Sequence, residues 1–346
     1  MRHAWAVREA TDEVLETSGQ LGVKDIVVYA GPGWPYLPGT AEPQSKPRAT
    51  YEDYMSLIER LDKYGLRVAA IEGGFVHLDP FRDLPFGGPD RDALIERIGA
   101  EIQDMARAGI PVFGYHWLPN GVWRTADKYI RSGARVTAFD ADHETFHPTP
   151  HDPIPDDVTI IEEGMWANLE YWIKAITPVA EEAGIRLGIH PDDPPVPELG
   201  GVPRILRSFE AYKRLIEIVD SPANAIEFCQ GTFSEMADAA NGGIYEMIDY
   251  FTRRDKILYV HFRNVSGQVP RFNEEFLNAG YVDMHRAMET YNEAGYSGVF
   301  MDDHCPVLTH DEDFPGNWGG YRSRIFAQGY IQAMIESVTG RRPEER

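Results

Sequence analysis

The chain is poor in three things, and each shortage excludes something. It has 2 cysteines in 346 residues, too few for a disulfide framework. It has no apolar run approaching the roughly 18–20 residues that span a bilayer. Its first twenty residues carry Arg2, Arg8, Glu9, Asp12, Glu13 and Glu16, with no apolar stretch of the kind a signal peptide needs. It is also short of positive charge: 33 Lys and Arg stand against 55 Asp and Glu, a net charge of −22. That balance argues against nucleic acid, whose binding depends on neutralising phosphates with Lys and Arg, and against a polybasic membrane patch. It repels an anionic small molecule at long range, so such a substrate needs arginines placed locally in its pocket. The expectation is a soluble, cytoplasmic protein with neither nucleic acid nor membrane as partner.

What the chain does have is a regular alternation of short apolar runs and helical stretches, with 43% hydrophobic residues to build a full core. Strands are predicted at 25–29, 67–71, 111–115, 186–190, 225–229, 257–261 and 299–301. Helical spacing is predicted over 11–22, 51–64, 90–108, 160–183, 209–219, 243–252, 283–293 and 321–338, with Gly65, Gly109 and Gly184 placed to close three of them. Strands alternating with helices of this length imply βαβ units and a parallel sheet. The count is seven strands, and a closed (β/α)8 barrel wants eight, so the first is expected to precede Arg2, missing or very short. Without internal repeat or linker, residues 1–346 read as a single α/β domain, a (β/α)8 TIM barrel. Residues 116–155 break the pattern with aromatics, arginines, histidines and prolines. A connection that long is uncommon unless functional, and it reads as a lid-like insertion at the C-terminal face.

Four consecutive strands end in side chains that bind metals. The run Ile185-Arg186-Leu187-Gly188-Ile189 delivers His190 and then stops in Pro191-Asp192-Asp193-Pro194-Pro195, because proline cannot donate to a sheet ladder. The next three deliver Cys229, His261 and, after Met301, Asp302-Asp303-His304. In a (β/α)8 barrel these ends share one face, where active sites lie. A histidine or a cysteine alone is ordinary packing; His190, Cys229, His261 and Asp303 on four adjacent strand ends point to a divalent metal. Two imidazoles, a thiolate and a carboxylate suit Mn, Fe, Co or Zn and disfavour Mg and Ca.

The same residues resemble the mannonate dehydratase family. The segments are His190-Pro191-Asp192-Asp193-Pro194-Pro195 with Gly201-Val202-Pro203-Arg204-Ile205, Val260-His261-Phe262-Arg263-Asn264-Val265, Gly280-Tyr281-Val282-Asp283-Met284 and Asp302-Asp303-His304. Trp123-Arg124-Thr125, Phe139-Asp140, Glu72 and Val76-His77 match more weakly. The resemblance implies a xylose-isomerase-like barrel that dehydrates D-mannonate or a related aldonate to a 2-keto-3-deoxy acid. It implies a divalent cation, Mn2+ foremost, on His190, Cys229, His261 and Asp303, with His304 as catalytic acid or base and Tyr321 as its partner. The expected substrate is a small-molecule sugar acid and the expected assembly a homo-oligomer. A metal-dependent sugar isomerase or epimerase is the alternative, because it moves protons next to a carbonyl with similar groups. In His304 the second reading is a group that orients Asp303. Arg263, on the same strand face as His261, is a candidate carboxylate clamp or the partner of an acid such as Asp192 or Glu227. Arg124 and His116, in the insertion, are candidate substrate contacts. Trp117 and Trp123 suit lid packing or sugar stacking equally. Glu72 suits a substrate hydroxyl or an arginine. The loops after Tyr29 and after His304 differ from the family's pattern, so the rim of the pocket is expected to differ while its floor does not.

Overall fold

The computed structural model describes residues 1–8, 10–30, 48–76, 80–143, 145–148, 154, 158–311 and 320–340. Eight parallel strands close into a barrel: β1 Arg2–Val7, β2 Asp25–Tyr29, β3 Arg67–Gly73, β4 Val112–His116, β5 Arg186–His190, β6 Asn224–Cys229, β7 Ile257–His261 and β8 Val299–Met301. Neighbours around the ring follow chain order, and β8 meets β1 through Arg2↔Val299, His3↔Phe300 and Ala4↔Met301. The eighth strand is therefore neither missing nor upstream of Arg2; it is Arg2–Val7 itself. Its inward residues are Ala4 and Ala6, whereas Trp5 and Val7 face the helix layer. Alanine favours helix and is depleted in strands, so the alternation in this run carries little strand signal.

Among the described residues, eight helices of nine residues or more ring the barrel: α1 Asp12–Gln20, α2 Tyr51–Asp62, α3 Arg91–Arg107, α4 Glu162–Ala183, α5 Phe209–Ile218, α6 Gly243–Thr252, α7 Met284–Glu293 and α8 Tyr321–Thr339. Their ends follow local chemistry. Thr11 Oγ1 accepts from the Val14 amide at 3.3 Å and caps α1, and Asp283 Oδ1 accepts from the His285 and Arg286 amides to cap α7. Gly184 closes α4 at φ 76°, a left-handed conformation that costs glycine nothing. The large core lies between strands and helices: Ile98, Ile102 and Met105 of α3 pack with Leu169, Trp172 and Ile176 of α4. Full burial of each such side chain contributes about 1.5–3 kcal/mol. The bore is filled differently, by Ala4, Ala6, Val27, Ala70, Ala225, Leu258 and Met301, with polar groups toward the C-terminal mouth.

The insertion after β4 is built of short ribbons rather than irregular chain. Lys128–Ile130 pairs with Ala134–Val136, and Ala138–Asp140 pairs with Arg271–Glu275 from the connection after β7. Arg135 also bridges Val307, beyond β8. The insertion is thus stitched to the two loops that follow β7 and β8. His116 is the last residue of β4 rather than part of the insertion. Trp117 is buried with its ring 6.1 Å from Trp172, and Trp123 lies 5.6 Å from Phe146, so both pack against other rings. His77, Trp34 with the rest of residues 31–35, and residues 144, 149–153 and 155 of the insertion lie outside the described residues. Among the described residues no helix is long and apolar enough to cross a membrane.

Candidate active site and metal centre

The barrel's closure brings together what the sequence spreads over more than a hundred residues. Cys229 is in register with His261, and His261 with Met301, two residues before Asp303. One ligand atom from each of His190, Cys229 and His261 lies within 4.8 Å of the other two. Asp303 Oδ2 adjoins this trio, 3.9 Å from Cys229 Sγ and 3.6 Å from His261 Nδ1. His190 Nδ1 is bonded to the Pro191 carbonyl at 2.7 Å, which leaves Nε2 as the donor turned to the cluster. The Pro191 turn thus ends the strand and fixes the tautomer.

The electrostatics suit a cation. Burial alone would raise the Cys229 thiol, but Arg263, His190 and His261 hold it well below its usual range. The sulfur also accepts from the Thr232 amide at 3.4 Å and its hydroxyl at 3.2 Å. Burial would depress His190, yet Cys229 and Glu227 raise it to about 10. His261 goes up against the same penalty because Glu72, Asp303 and Glu227 surround it, and Asp303 goes down under His304, His261 and Arg263. A divalent cation fits this donor set. His261 Nδ1 is buried without a hydrogen-bond partner and faces Asp303. Buried polar atoms are rarely left so, and a metal bond at that nitrogen would account for it.

Beside the cluster stands His304, half-buried, on a support the sequence did not suggest. Its Nδ1 lies 2.5 Å from Glu274 Oε1, and its Nε2 is on the cluster side, 3.7 Å from Asp303 Oδ1. Glu274, from the Arg271–Glu275 strand, is fixed in turn by Arg124 Nη2 at 2.9 Å and by Arg263 Nη1. Burial would raise this carboxyl, but His304, Arg263 and Arg124 hold it at about 2. Arg124 also grips Asp193 with both prongs, at 2.6 and 2.8 Å. Arg263 meets Asp303 at 3.2 Å, Asp193 at 3.4 Å, Glu235 at 3.3 Å and Thr232 Oγ1 at 2.8 Å. Its acidic partners are therefore these, with Glu274, rather than Asp192 or Glu227. A cavity of about 230 Å³ opens on His304 and Glu274, lined also by Arg135, Thr137, Cys305 and Val307.

Glu72 holds a histidine and a tyrosine rather than an arginine: its Oε2 lies 3.0 Å from His261 Nε2 and 3.2 Å from the Tyr259 hydroxyl. His116 stands at the mouth in register with His190, its ring so close over Gly74 that a Cβ there would overlap it. Tyr321 is not among the groups gathered around His304. Its hydroxyl bonds to Thr17 Oγ1 at 2.9 Å and its ring lies 6.0 Å from Trp5, in the helix layer. Sequence reasoning missed Glu235 and Glu274, and named Glu227 only as a candidate partner of Arg263. The place of Glu227 at the site was discoverable, since it precedes Cys229 by two positions and so shares its strand face. Glu274 lies in a connection with no periodic signal.

Comparison with known proteins extends the likeness over nearly the whole chain. The family profile described as D-mannonate dehydratase (UxuA) matches residues 1–152 and 154–344. A mannonate dehydratase of Streptococcus suis (strain 05ZYH33) is 30% identical over 365 residues, covering 96% of this chain and 92% of that one. One of Thermotoga maritima is 28% identical over 319 residues, with 83% and 86% covered. The crystal structure of mannonate dehydratase from Streptococcus suis serotype 2 superposes with a TM-score of 0.83 at 28% identity, over 98% of this chain and 94% of that one. A D-psicose 3-epimerase from Clostridium cellulolyticum H10, at 13% identity and a TM-score of 0.60 over 97% and 99% of the two chains, shares the fold. An eight-stranded barrel of xylose-isomerase type, matched by one profile over nearly its full length, places this chain in the D-mannonate dehydratase family, and so among the carbon–oxygen lyases that remove water from a sugar acid.

Proposed function

We propose that the protein converts D-mannonate or a closely related aldonate to its 2-keto-3-deoxy acid, with a divalent cation held by His190, Cys229, His261 and Asp303. Mn2+ is the first choice, with Fe2+, Co2+ and Zn2+ suited to the same donors. The observation that carries the reading is the meeting of these four donors beside a histidine whose far nitrogen is held by Glu274. When bound, the cation would draw charge from the substrate carboxylate and so make the proton on C2 removable.

The chain's own residues account for the rest. Glu274 accepts the hydrogen bond of the His304 Nδ1–H and so fixes Nε2 as the ring atom that meets the substrate. Nε2 then exchanges a proton with the reacting carbons, as base at C2 or as acid to the departing C3 hydroxyl. Loss of H from C2 and OH from C3 makes one water and an enol, and tautomerisation of the enol gives the keto acid. Arg124 and Arg263, buried and engaged by Asp193, Glu274 and Asp303, act on the substrate through the carboxylates they hold. The insertion and the loops after β7 and β8, tied together by strand pairing, shut bulk water from the enol.

A keto-acid assay over a panel of aldonates tests this directly. Metal-stripped protein should be inactive and regain turnover with Mn2+, and His304→Ala should abolish turnover while the metal content stays at wild-type level. An isomer or epimer as the product, with no keto acid from any aldonate, would sink the proposal.

A further inference from the structure

Below the four donors, one layer deeper in the bore, is a second polar group that dehydration chemistry does not call for. Glu227 and Tyr259 are cross-strand partners on β6 and β7, each two residues before Cys229 and His261, and Tyr29 and Gly114 flank Glu72 on β2 and β4. Period-two geometry therefore puts Glu227 and Tyr259 under Cys229 and His261, and Glu72 reaches the same layer through its bonds to His261 and Tyr259. Gly114 makes the layer possible, because a Cβ at that position would overlap the Tyr259 hydroxyl and the Glu227 carboxylate. Both Glu227 oxygens are buried without a hydrogen-bond partner, and the residue is 0% exposed. Two carboxylates this deep carry a desolvation cost that only a positive or polarised group can offset.

The group they face is His261. Glu72 Oε2 is hydrogen-bonded to its Nε2 at 3.0 Å, and Glu227 Oε1 stands 3.1 Å from the same nitrogen. The other ring nitrogen, Nδ1, is the one turned to Asp303 at 3.6 Å. We propose that Glu72 and Glu227 are positioning residues for the metal: Glu72 accepts the hydrogen bond of the His261 Nε2–H, the Glu227 carboxylate beside the same nitrogen favours the proton there, and together they lock the ring and commit Nδ1 to the cation. Glu72 thereby acts on the metal through His261 and not on a substrate hydroxyl. The inference rests on the reading of His190, Cys229, His261 and Asp303 as metal ligands. A histidine whose far N–H points at a carboxylate is held in one tautomer and is a better donor, and loss of such a partner typically weakens metal binding 10–100-fold. Replacement of glutamate by glutamine keeps the shape of the side chain, because the amide is nearly isosteric, and changes what it offers to Nε2. Its NH2 turned toward Nε2 would move the ring proton to Nδ1, where it blocks the metal.

The experiment measures Mn2+ affinity of metal-stripped protein by competition with a chromophoric chelator, and the visible spectrum of the Co2+-loaded form, for wild type, Glu72→Gln, Glu227→Gln, the double variant and Cys229→Ser. Circular dichroism checks that each is folded. The expected result is one ion per wild-type chain, a loss of about 10–100-fold for Glu72→Gln, a further loss in the double variant, and a shifted Co2+ band while the sulfur-to-metal band remains. Wild-type affinity and an unchanged Co2+ spectrum in the double variant would overturn the positioning role and leave the metal site standing. Two ions per wild-type chain, one of them lost in the double variant, would overturn it too, since Glu72, Glu227 and His261 would then themselves ligate a cation. A wild-type chain that binds no ion, or binds it as well after Cys229→Ser, would instead remove the ligand reading on which the proposal rests.

Discussion

Glu274→Gln is the substitution that separates the chemistry of the site from its architecture. Glu274 Oε1 takes three contacts: His304 Nδ1 at 2.5 Å, Arg124 Nη2 at 2.9 Å and Arg263 Nη1. Glutamine keeps the shape and one acceptor oxygen, and the two arginines compete for that oxygen with the charge-assisted bonds they prefer. The amide NH2 is then the atom left beside His304, where it is a donor. The imidazole must answer with a lone pair at Nδ1, which moves its proton to Nε2 and reverses the role of the atom that meets the substrate. General acid–base catalysis by a positioned histidine contributes about 10²–10⁴-fold, so kcat should fall by that factor, equivalent to about 2.7–5.5 kcal/mol of barrier. KM and bound metal should change little, because Glu274 touches neither the four donors nor, in this reading, the substrate. The assay is steady-state keto-acid formation with metal content measured on the same preparation. Glu274→Asp, which keeps the charge one methylene short, should recover part of the loss. A Glu274→Gln enzyme with wild-type kcat would refute the reasoning, and so would a loss that Glu274→Asp reproduces in full.

Three further expectations follow from buried groups. Arg124→Lys keeps the charge but loses the fork that holds Asp193 and Glu274; about 3 kcal/mol of stability should go, seen as a Tm several degrees lower, whereas a raised KM at unchanged Tm would restore Arg124 as a direct substrate clamp. Gly114→Ala should cost about 1–3 kcal/mol by overpacking against Tyr259 and Glu227, and Tyr259→Phe in the same chain should return part of it in denaturant titrations; no recovery would place the crowding elsewhere. Glu101, buried between α2 and α3 with the Tyr54 hydroxyl at 2.8 Å, is raised by burial from 4.5 to about 7. The folded chain thus holds a proton that the unfolded chain releases, so the contribution of Glu101 to stability is fullest below pH 4.5 and declines as pH rises through about 7, by about 3 kcal/mol in all. Glu101→Gln should remove that decline between pH 5 and 8, and an unaltered slope would show that Glu101 is not its source.

How much was legible beforehand depends on where each signal resides. The alternation of short apolar runs with helical stretches, the glycines after three helices and the proline stop after His190 are local matters of backbone chemistry, and they gave the barrel and the four donors. β1 was not legible, because its inward positions are the alanines Ala4 and Ala6 and its strand character comes from pairing with β2 and β8. Among the described residues, the ribbons of the insertion were hidden for the same reason: Ala138–Asp140 is a strand only because Arg271–Glu275 lies beside it.

The sequence by itself determined which side chains reach the mouth of the barrel, since period-two alternation and chain-breaking residues act within a few positions. Only the tertiary structure decided what those side chains do to one another. Barrel closure set Glu274 under His304, turned Arg124 and Arg263 toward buried acids, and put Glu72 from β3 against His261 from β7. Such pairings join residues up to 189 positions apart, and no local pattern records them. Burial is what gives them force, because charges taken out of water must find partners.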